Sequence, residues 1–310
     1  ESKKKYGWNE QPYLDIYSAK YDPEEGKFKD IAQVSELNSK LHDGPVTITA
    51  DGQTMYFSSE SFRSRKFTKN VTQRLKEGKV SLYRAKFDGK KWKDIEPVSF
   101  NSAEYMVSNP SVSADGKTLY FASDMPGGIG GMDIWKVSIN EDGSYGEPVN
   151  MGASVNTEGR ESFPFIDSVN NKLYFASDTQ KGFGGLDVFS LDLETPGSTA
   201  RNLGDPVNTP KDDFALTFYP NKGIGFLSTN RVSRDDIYRI KPICLTEIIT
   251  TVKNSKTGDL LKDTQITIFD HDNNPIETRY TDSYGIVRYE VDCNRSYSLK
   301  VTKADFEGKD

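Results

Sequence analysis

Residues 118–124 read Thr-Leu-Tyr-Phe-Ala-Ser-Asp, and residues 133–135 read Asp-Ile-Trp. Aromatic and aliphatic residues bounded by Ser, Asp and Gly are typical of short β-strands. The same pair recurs as Lys-Leu-Tyr-Phe-Ala-Ser-Asp at 172–178 and Asp-Val-Phe at 187–189. A strand pair that returns at a regular interval indicates a repeat architecture, which must be settled before any single motif is interpreted.

Weaker copies extend the repeat in both directions. Thr-Met-Tyr-Phe-Ser-Ser occupies 54–59, and Gly-Ile-Gly-Phe-Leu-Ser occupies 223–228. We align the first strand of the pair on its phenylalanine, which gives steps of 64, 54 and 51 residues between Phe57, Phe121, Phe175 and Phe226. The second strand has five copies, which begin at Asp15, Ser81, Asp133, Asp187 and Asp236.

Two further strands complete each unit. One precedes each Leu-Tyr-Phe strand, and one follows the Asp-Ile-aromatic strand, near Pro97, Pro148 and the Asp205-Pro206-Val207 turn. Four short strands in about 50 residues, with Asp-Gly hairpin turns, are typical of a β-propeller blade. Five copies of one strand but four of the other predict five blades with an incomplete first blade, and hence a piece of a larger protein.

The pattern changes after residue 242. Residues 243–310 contain short alternating runs separated by Thr-Gly, Asp-Asn-Asn and Asp-Ser-Tyr-Gly turns, which predict a small antiparallel β-sandwich. We therefore expect an all-β protein with a propeller at 1–242 and a sandwich at 243–310. The order of these turns resembles the carboxypeptidase-regulatory-like, transthyretin-like domains, which implies a packing or adhesion module. Cys244 and Cys293 are interpreted either as a disulfide in an oxidising compartment or as two buried thiols.

Two glycine-rich runs precede copies of the second strand. Pro-Gly-Gly-Ile-Gly-Gly at 126–131 and Lys-Gly-Phe-Gly-Gly at 181–185 suggest a phosphate loop, but each leads into a strand instead of the helix N-terminus that such a loop requires. We interpret them as turns that need positive φ, closed by an aspartate that accepts backbone N–H bonds. The predicted structural turn residues are Gly127, Gly128, Gly130, Gly131, Asp133, Gly182, Gly184, Gly185, Asp187 and Asp236.

A basic insert lengthens the second unit between residues 60 and 79. Its cations are Arg63, Arg65, Lys66, Lys69, Arg74, Lys76 and Lys79. A basic excursion on an otherwise balanced chain is a candidate docking loop for a partner. The alternative is a solvated loop with no partner.

The remaining signals exclude several function classes. The net charge is −6, from 46 acidic and 40 basic residues, which disfavours a nucleic-acid partner. No apolar run reaches the roughly 18 residues of a transmembrane helix. With two histidines and no Cys/His cluster, we expect no metal site, no cofactor and no catalytic residues. Calcium at the turn 270–274 is the weaker alternative to a plain hairpin turn.

The repeated strands, the Gly-Gly-x-Gly-Gly-x-Asp turn and the sandwich together resemble the middle of multidomain OmpA-family proteins of the Bacteroidota, in particular the PorE-like periplasmic components of the type IX secretion system. The resemblance covers essentially the whole chain. It implies a non-enzymatic periplasmic scaffold, associated with the outer membrane, whose partners are an outer-membrane barrel protein and other secretion components. In that family a separate OmpA-like domain binds peptidoglycan, so this chain is expected to contact peptidoglycan only through a domain that it does not contain.

Two other functions stay open at this point. One is a propeller that binds carbohydrate or muropeptides, which predicts acids and aromatic residues in a central channel. The other is a TolB-like interaction propeller linked to envelope integrity, which differs from the secretion scaffold only in its partner.

Overall fold

A computed structural model of the protein describes residues 13–60, 68–70, 75–77, 79–219, 222–241, 245–292 and 295–306. Its regular elements are β-strands, β1 to β24, and within the described part no helix is long and apolar enough to span a membrane. The chain divides into two compact units, Glu1–Ile240 and Lys241–Asp310. Cys244 and Cys293 lie outside the described residues, as do Arg63, Arg65, Lys66 and Arg74.

The first unit is built from a series of antiparallel sheets in chain order. The first sheet pairs β1 (Tyr17–Asp22) with β2 (Lys27–Gln33). The second contains β3 (Asp43–Ile48), β4 (Thr54–Glu60), β7 (Val80–Phe87) and β8 (Trp92–Pro97). The third contains β9 (Val107–Val112), β10 (Thr118–Ser123), β11 (Asp133–Ser138) and β12 (Val149–Asn150).

The fourth sheet contains β13 (Glu161–Asp167), β14 (Lys172–Ser177), β15 (Asp187–Asp192) and β16 (Arg201–Asn202). The fifth has three strands within the described residues, β17 (Asp213–Tyr219), β18 (Ile224–Thr229) and β19 (Asp236–Ile240). A separate hairpin of β5 (Thr68–Asn70) and β6 (Leu75–Glu77) lies in the insert between β4 and β7. The predicted outer strand near Asp205-Pro206-Val207 is thus β16, which ends three residues before that turn.

Buried side chains join each sheet to its neighbour. Leu119 and Phe121 of the third sheet are fully buried, and they share a core with Tyr56 and Leu82 of the second sheet. Burying a side chain of this size stabilises the fold by about 1.5 to 3 kcal/mol. Ile16 and Leu37, which flank the first sheet, share a cluster with side chains of the second sheet. Equivalent clusters join the third sheet to the fourth and the fourth to the fifth.

The last sheet of the series also contacts the first. The Phe226 ring of β18 lies 5.6 Å from Tyr21 and 5.3 Å from Phe28, measured between ring centroids. The Arg239 guanidinium on β19 donates a 2.8 Å hydrogen bond to the Tyr21 hydroxyl. A closed series of twisted sheets packed face to face is the arrangement of a β-propeller, in which each sheet buries the face of the next.

The register of the fifth sheet corrects the sequence alignment by one residue. Phe57, Phe121 and Phe175 pair with the aromatic residue of the following strand, but in the fifth sheet Leu227 makes this pair, with Tyr238. Leu227 is also buried as those phenylalanines are. Phe226 therefore lies on the other face of its strand, where it packs against the first sheet.

The second unit has two small antiparallel sheets. One pairs β20 (Leu245–Thr251) with β23 (Ile286–Asp292). The other has the order β22 (Pro275–Tyr280), β21 (Gln265–Phe269), β24 (Ser298–Thr302). Ile266 and Ile268 from β21 share a buried core with side chains of β23, and the hydroxyl of buried Tyr289 donates to the Ile266 carbonyl at 2.6 Å.

Candidate functional site

One end of the propeller unit collects the loops that carry unusual sequence. Because the strands of each sheet are antiparallel, the loop between strands two and three emerges beside the link to the next sheet. We call this end the loop face. It comprises the loops 124–132, 178–186 and 230–235, the links 34–42, 98–106, 151–160 and 203–212, and the two ends of the insert at Glu60 and Lys79.

Each glycine-rich loop is folded around a buried aspartate. Asp133 accepts bonds from the backbone N–H of Ile129 at 2.5 Å and of Gly130 at 3.1 Å, and from the Asn150 side chain at 2.7 Å. Asp187 accepts from the backbone N–H of Phe183 at 2.6 Å and of the next residue at 3.2 Å. A carboxylate that accepts two backbone N–H groups fixes the path of the turn, since charge-assisted bonds are roughly twice as strong as neutral ones.

Most of the glycines are required for a different reason from the predicted one. Gly127 has the positive φ, +92°, that we expected of these turns. The others do not adopt it, so the prediction was wrong for Gly128, Gly130, Gly131, Gly182, Gly184 and Gly185. All of these except Gly131 are needed for space: a Cβ on Gly130, for example, would stand 2.6 Å from the Gly159 carbonyl oxygen and closer still to that of Thr157. A Cβ on Gly131 would meet no atom nearer than 3.3 Å.

This close approach joins each loop to the link that starts the next sheet. Gly131 N–H donates to the Gly159 carbonyl at 2.7 Å, and Glu161 N–H donates to the Met132 carbonyl at 2.7 Å. The next loop repeats the arrangement, because Asp213 N–H donates to the Leu186 carbonyl at 2.6 Å. Four successive amides in each loop, those of residues 129–132 and 183–186, are therefore used inside the protein.

Asp236 does not belong to a turn of this kind. It is exposed at the start of β19, and no glycine run precedes it. The preceding loop is held instead by Asn230, whose side chain accepts from Asp212 N–H at 2.9 Å and donates to the Asp212 carboxylate at 2.8 Å. Its inclusion among the turn residues was wrong, because the Asp-Ile-aromatic motif is shared while the loop before it is not.

The loop tips expose apolar side chains. Ile129 is 44% exposed and Phe183 is 55% exposed, each between the glycines of its run. Val232, in the equivalent loop of the fifth sheet, is 75% exposed. Equivalent loops of three successive sheets thus present an apolar residue to solvent at the same end of the propeller.

Two arginines of the loop face form ion pairs with aspartates. Arg160 Nε lies 2.7 Å from Asp178 Oδ2, and Arg231 Nη2 lies 2.8 Å from the fully buried Asp213. Burial raises the pKa of Asp178, but the hydrogen bonds that its carboxylate accepts from the side chain and backbone of Arg160 lower it by more. The pKa of Asp178 therefore lies below its usual value. Arg201 lies on the outer strand β16.

A repeated asparagine, which the sequence analysis missed, lies at the outer edge of each of the first four sheets. The Asn156 side chain accepts from Ile134 N–H at 2.8 Å and donates to the carbonyl of the same residue at 2.9 Å. The same two bonds join Asn38 to Ile16, Asn101 to Leu82 and Asn208 to Val188. The signal in the sequence is an apolar residue followed by Asn and Ser or Thr, at 37–39, 100–102, 155–157 and 207–209.

The described part of the basic insert forms the hairpin of β5 and β6. Lys69 lies opposite Lys76 in its register. Lys79 precedes β7, and the other four cations of the predicted docking loop lie outside the described residues. The insert therefore begins and ends at the loop face.

The residues that the structure describes form no cluster of metal-ligating side chains. No group of three or more His, Cys, Asp or Glu side chains there is placed to hold a metal ion. In the turn 270–274, Asp270 accepts backbone N–H bonds from Asp272 at 2.9 Å and from Asn274 at 2.8 Å. The pKa of Asp270 lies below its usual value, chiefly because its carboxylate accepts from both the backbone N–H and the side chain of Asn274.

No family model and no curated protein matches the chain. Among solved structures, it is similar to TolB from Acinetobacter baumannii, with 12% identity and a TM-score of 0.40 over 84% of this chain and 61% of that one. It is also similar to a TolB-type protein from Agrobacterium tumefaciens, with 13% identity and a TM-score of 0.42 over 90% of this chain and 82% of that one. A puromycin-hydrolysing peptidase from Mycobacterium tuberculosis has 12% identity and a TM-score of 0.40 over 82% of this chain and 38% of that one. With TM-scores below 0.5, these similarities identify no function, and the propeller assignment rests on the sheets and cores of the chain itself.

Proposed function

We propose that the chain is a non-enzymatic interaction scaffold of an outer-membrane-associated protein-secretion machine, the type IX system, and that it works in the periplasm. In this proposal the first unit is a five-bladed propeller whose first blade is incomplete. The second unit is a carboxypeptidase-regulatory-like sandwich that acts as a spacer. The single observation that carries the proposal is the set of apolar tips held on fixed turns at the loop face.

The tips have the properties of contact residues. A large apolar side chain on a loop costs solvation free energy, and exposed apolar patches mark interaction sites more often than chance surface. The loops that carry Ile129 and Phe183 are closed by a buried aspartate and by backbone bonds to the next sheet. A partner that binds a preordered loop does not have to overcome the entropy of ordering it.

The buried acids support a scaffold over an enzyme. Glu161 accepts bonds from Thr157 N–H at 2.8 Å and from the hydroxyls of Thr157 and Ser177, each at 2.6 Å. Asp213 accepts from Thr209 N–H at 2.6 Å and is paired with an arginine. Their carboxylates are used to position the start of an inner strand, where a hydrolase would need one free to meet a substrate.

The proposal is tested by altering the tips in the intact protein in its own cells. One variant carries Ile129→Ser, Phe183→Ser and Val232→Ser, and a second lacks residues 61–78. The matched control is Val169→Ser, because Val169 is 62% exposed in the turn between β13 and β14 at the opposite end of the same sheets. Proteins that co-purify from the periplasm after crosslinking are identified by mass spectrometry.

We expect the triple variant to lose an envelope partner that the control retains, with both variants recovered in the periplasmic fraction. Loss of the partner from the deletion variant as well would add the insert to the binding surface. An unchanged set of partners in the triple variant would contradict the proposal. Muropeptide binding by the wild-type chain in a direct titration would favour the carbohydrate-binding alternative instead.

A further inference from the structure

The fifth sheet of the propeller unit has an open edge. In the second, third and fourth sheets the third strand is covered by a fourth strand, β8, β12 or β16. Within the described residues, β19 pairs with β18 and with no strand on its other side. An unpaired edge presents a row of backbone N–H and C=O groups that can accept another strand.

The exposure of Ile237 distinguishes β19 from the equivalent strands of the other sheets. The residues at the same place in the Asp-Ile-aromatic motif are all buried; they are Ile16, Leu82, Ile134 and Val188. Ile237 is 68% exposed. Its register partner Ser228 corresponds to the partners of Ile134 and Val188, so its N–H and C=O point away from β18, as theirs do from their second strands.

The equivalent residues of the first four sheets, Ile16, Leu82, Ile134 and Val188, show which contacts Ile237 lacks. At each edge an apolar residue donates its backbone N–H to the carbonyl of the buried residue, as Met151 does to Ile134 and Leu203 does to Val188, both at 3.1 Å. An asparagine three to five residues later bonds both the N–H and the C=O of that same residue, as Asn156 does. The chain therefore contains four examples of the strand that would fit.

We propose that β19 is completed by an extended segment of a partner protein, which adds as a fourth antiparallel strand. The segment presents an apolar residue, then one to three further residues, then an apolar residue followed by Asn and Ser or Thr. Its asparagine bonds the free N–H and C=O of Ile237, and its apolar residues cover the Ile237 side chain. Binding by strand addition takes affinity from main-chain bonds and specificity from side chains at fixed positions. This inference goes beyond the proposed function, since it uses a sheet edge and not the loop face.

The probe is a synthetic peptide with the sequence of residues 148–158, Pro-Val-Asn-Met-Gly-Ala-Ser-Val-Asn-Thr-Glu, titrated into the full chain. The control peptide replaces the asparagine that corresponds to Asn156 by Ala. The protein variant Ile237→Pro removes the outward N–H, and proline is tolerated on an edge strand because the bonds to β18 do not use that group. Ile237→Val keeps the N–H, and circular dichroism checks that both variants are folded.

We expect the peptide to bind the wild-type chain and Ile237→Val alike. The Ala peptide should bind about tenfold or more weakly, since both bonds of its asparagine are lost. The Ile237→Pro variant loses the one bond that uses the N–H and should bind the unchanged peptide about threefold or more weakly. The Ile237 amide should exchange with solvent quickly in the free chain and slowly with the peptide. Absence of binding, or binding insensitive to both changes, would overturn the proposal. It would also be overturned by slow exchange without peptide, or by a dimer of this chain that Ile237→Pro abolishes, because each places a different occupant on the edge.

Discussion

Replacing Asn156 with alanine tests how much the repeated asparagine contributes to the propeller. The side chain makes three hydrogen bonds, to Ile134 N–H at 2.8 Å, to the Ile134 carbonyl at 2.9 Å and to Asn150 Oδ1 at 2.9 Å. It is buried, so no water replaces them. A net contribution of about 0.5 to 1.5 kcal/mol per bond, with one buried N–H left unsatisfied, gives an expected loss of about 2 to 4 kcal/mol of unfolding free energy.

The assay is urea unfolding followed by tryptophan fluorescence, because Trp135 lies in the same sheet as Ile134. The matched control is Asn140→Ala, which removes an exposed amide bonded to Ser144 at 2.9 Å and should change stability by less than about 0.5 kcal/mol. An unfolding free energy for Asn156→Ala within about 0.5 kcal/mol of wild type would refute the reasoning. It would mean that β12 and its link hold the sheet edge without the asparagine.

Three further outcomes follow from the loop face. Gly130→Ala should lower the unfolding free energy by about 1 to 3 kcal/mol through overpacking, while Gly131→Ala should cost less, because its Cβ meets no atom nearer than 3.3 Å; urea unfolding of the two variants compares them. Arg231→Ala should cost about 3 kcal/mol, since it leaves a buried carboxylate unpaired, whereas exposed Arg234→Ala should be nearly neutral in thermal unfolding. Because the pKa of Asp178 is lowered in the folded state, its stabilisation is present above its unfolded-state pKa near 3.9 and is lost as the pH falls through the folded value. The stability difference between wild type and Asp178→Asn should therefore shrink on going from pH 6 to pH 3, and a constant difference would contradict this reading.

The strands of the propeller could be predicted from the sequence because their signal is local. Leu119, Tyr120 and Phe121 form one short apolar run, and the Asp-Gly turn before them has Gly116 at φ +70°. Nothing local, however, fixes a register. The alignment on Phe226 was wrong by one residue because the buried position holds Leu227, and the pairing of β18 with β19 decides which residue faces the core.

The candidate site was less accessible to sequence reasoning, since its features depend on contacts between sheets. The glycines of the loops were recognised as turn residues, but the reason for Gly130 is a carbonyl oxygen that arrives from the next sheet. The role of Asn156 likewise needs the pairing of β11 with β12 before it can be seen. The exposure of Phe183 follows from the backbone bonds to Asp187 that hold its loop, and no periodicity in the sequence predicts it.

The central claim is that a protein partner binds the loop face, and crosslinking mass spectrometry of the intact protein in living cells tests it most directly. Exposed lysines lie at both ends of the propeller: Lys181 and Lys211 on the loop face, Lys90 and Lys117 in turns at the opposite end. We expect crosslinks to an envelope protein from Lys181 and Lys211, and few or none from the other pair. Crosslinks that come only from Lys90 and Lys117, or none to any protein from either end, would contradict the account.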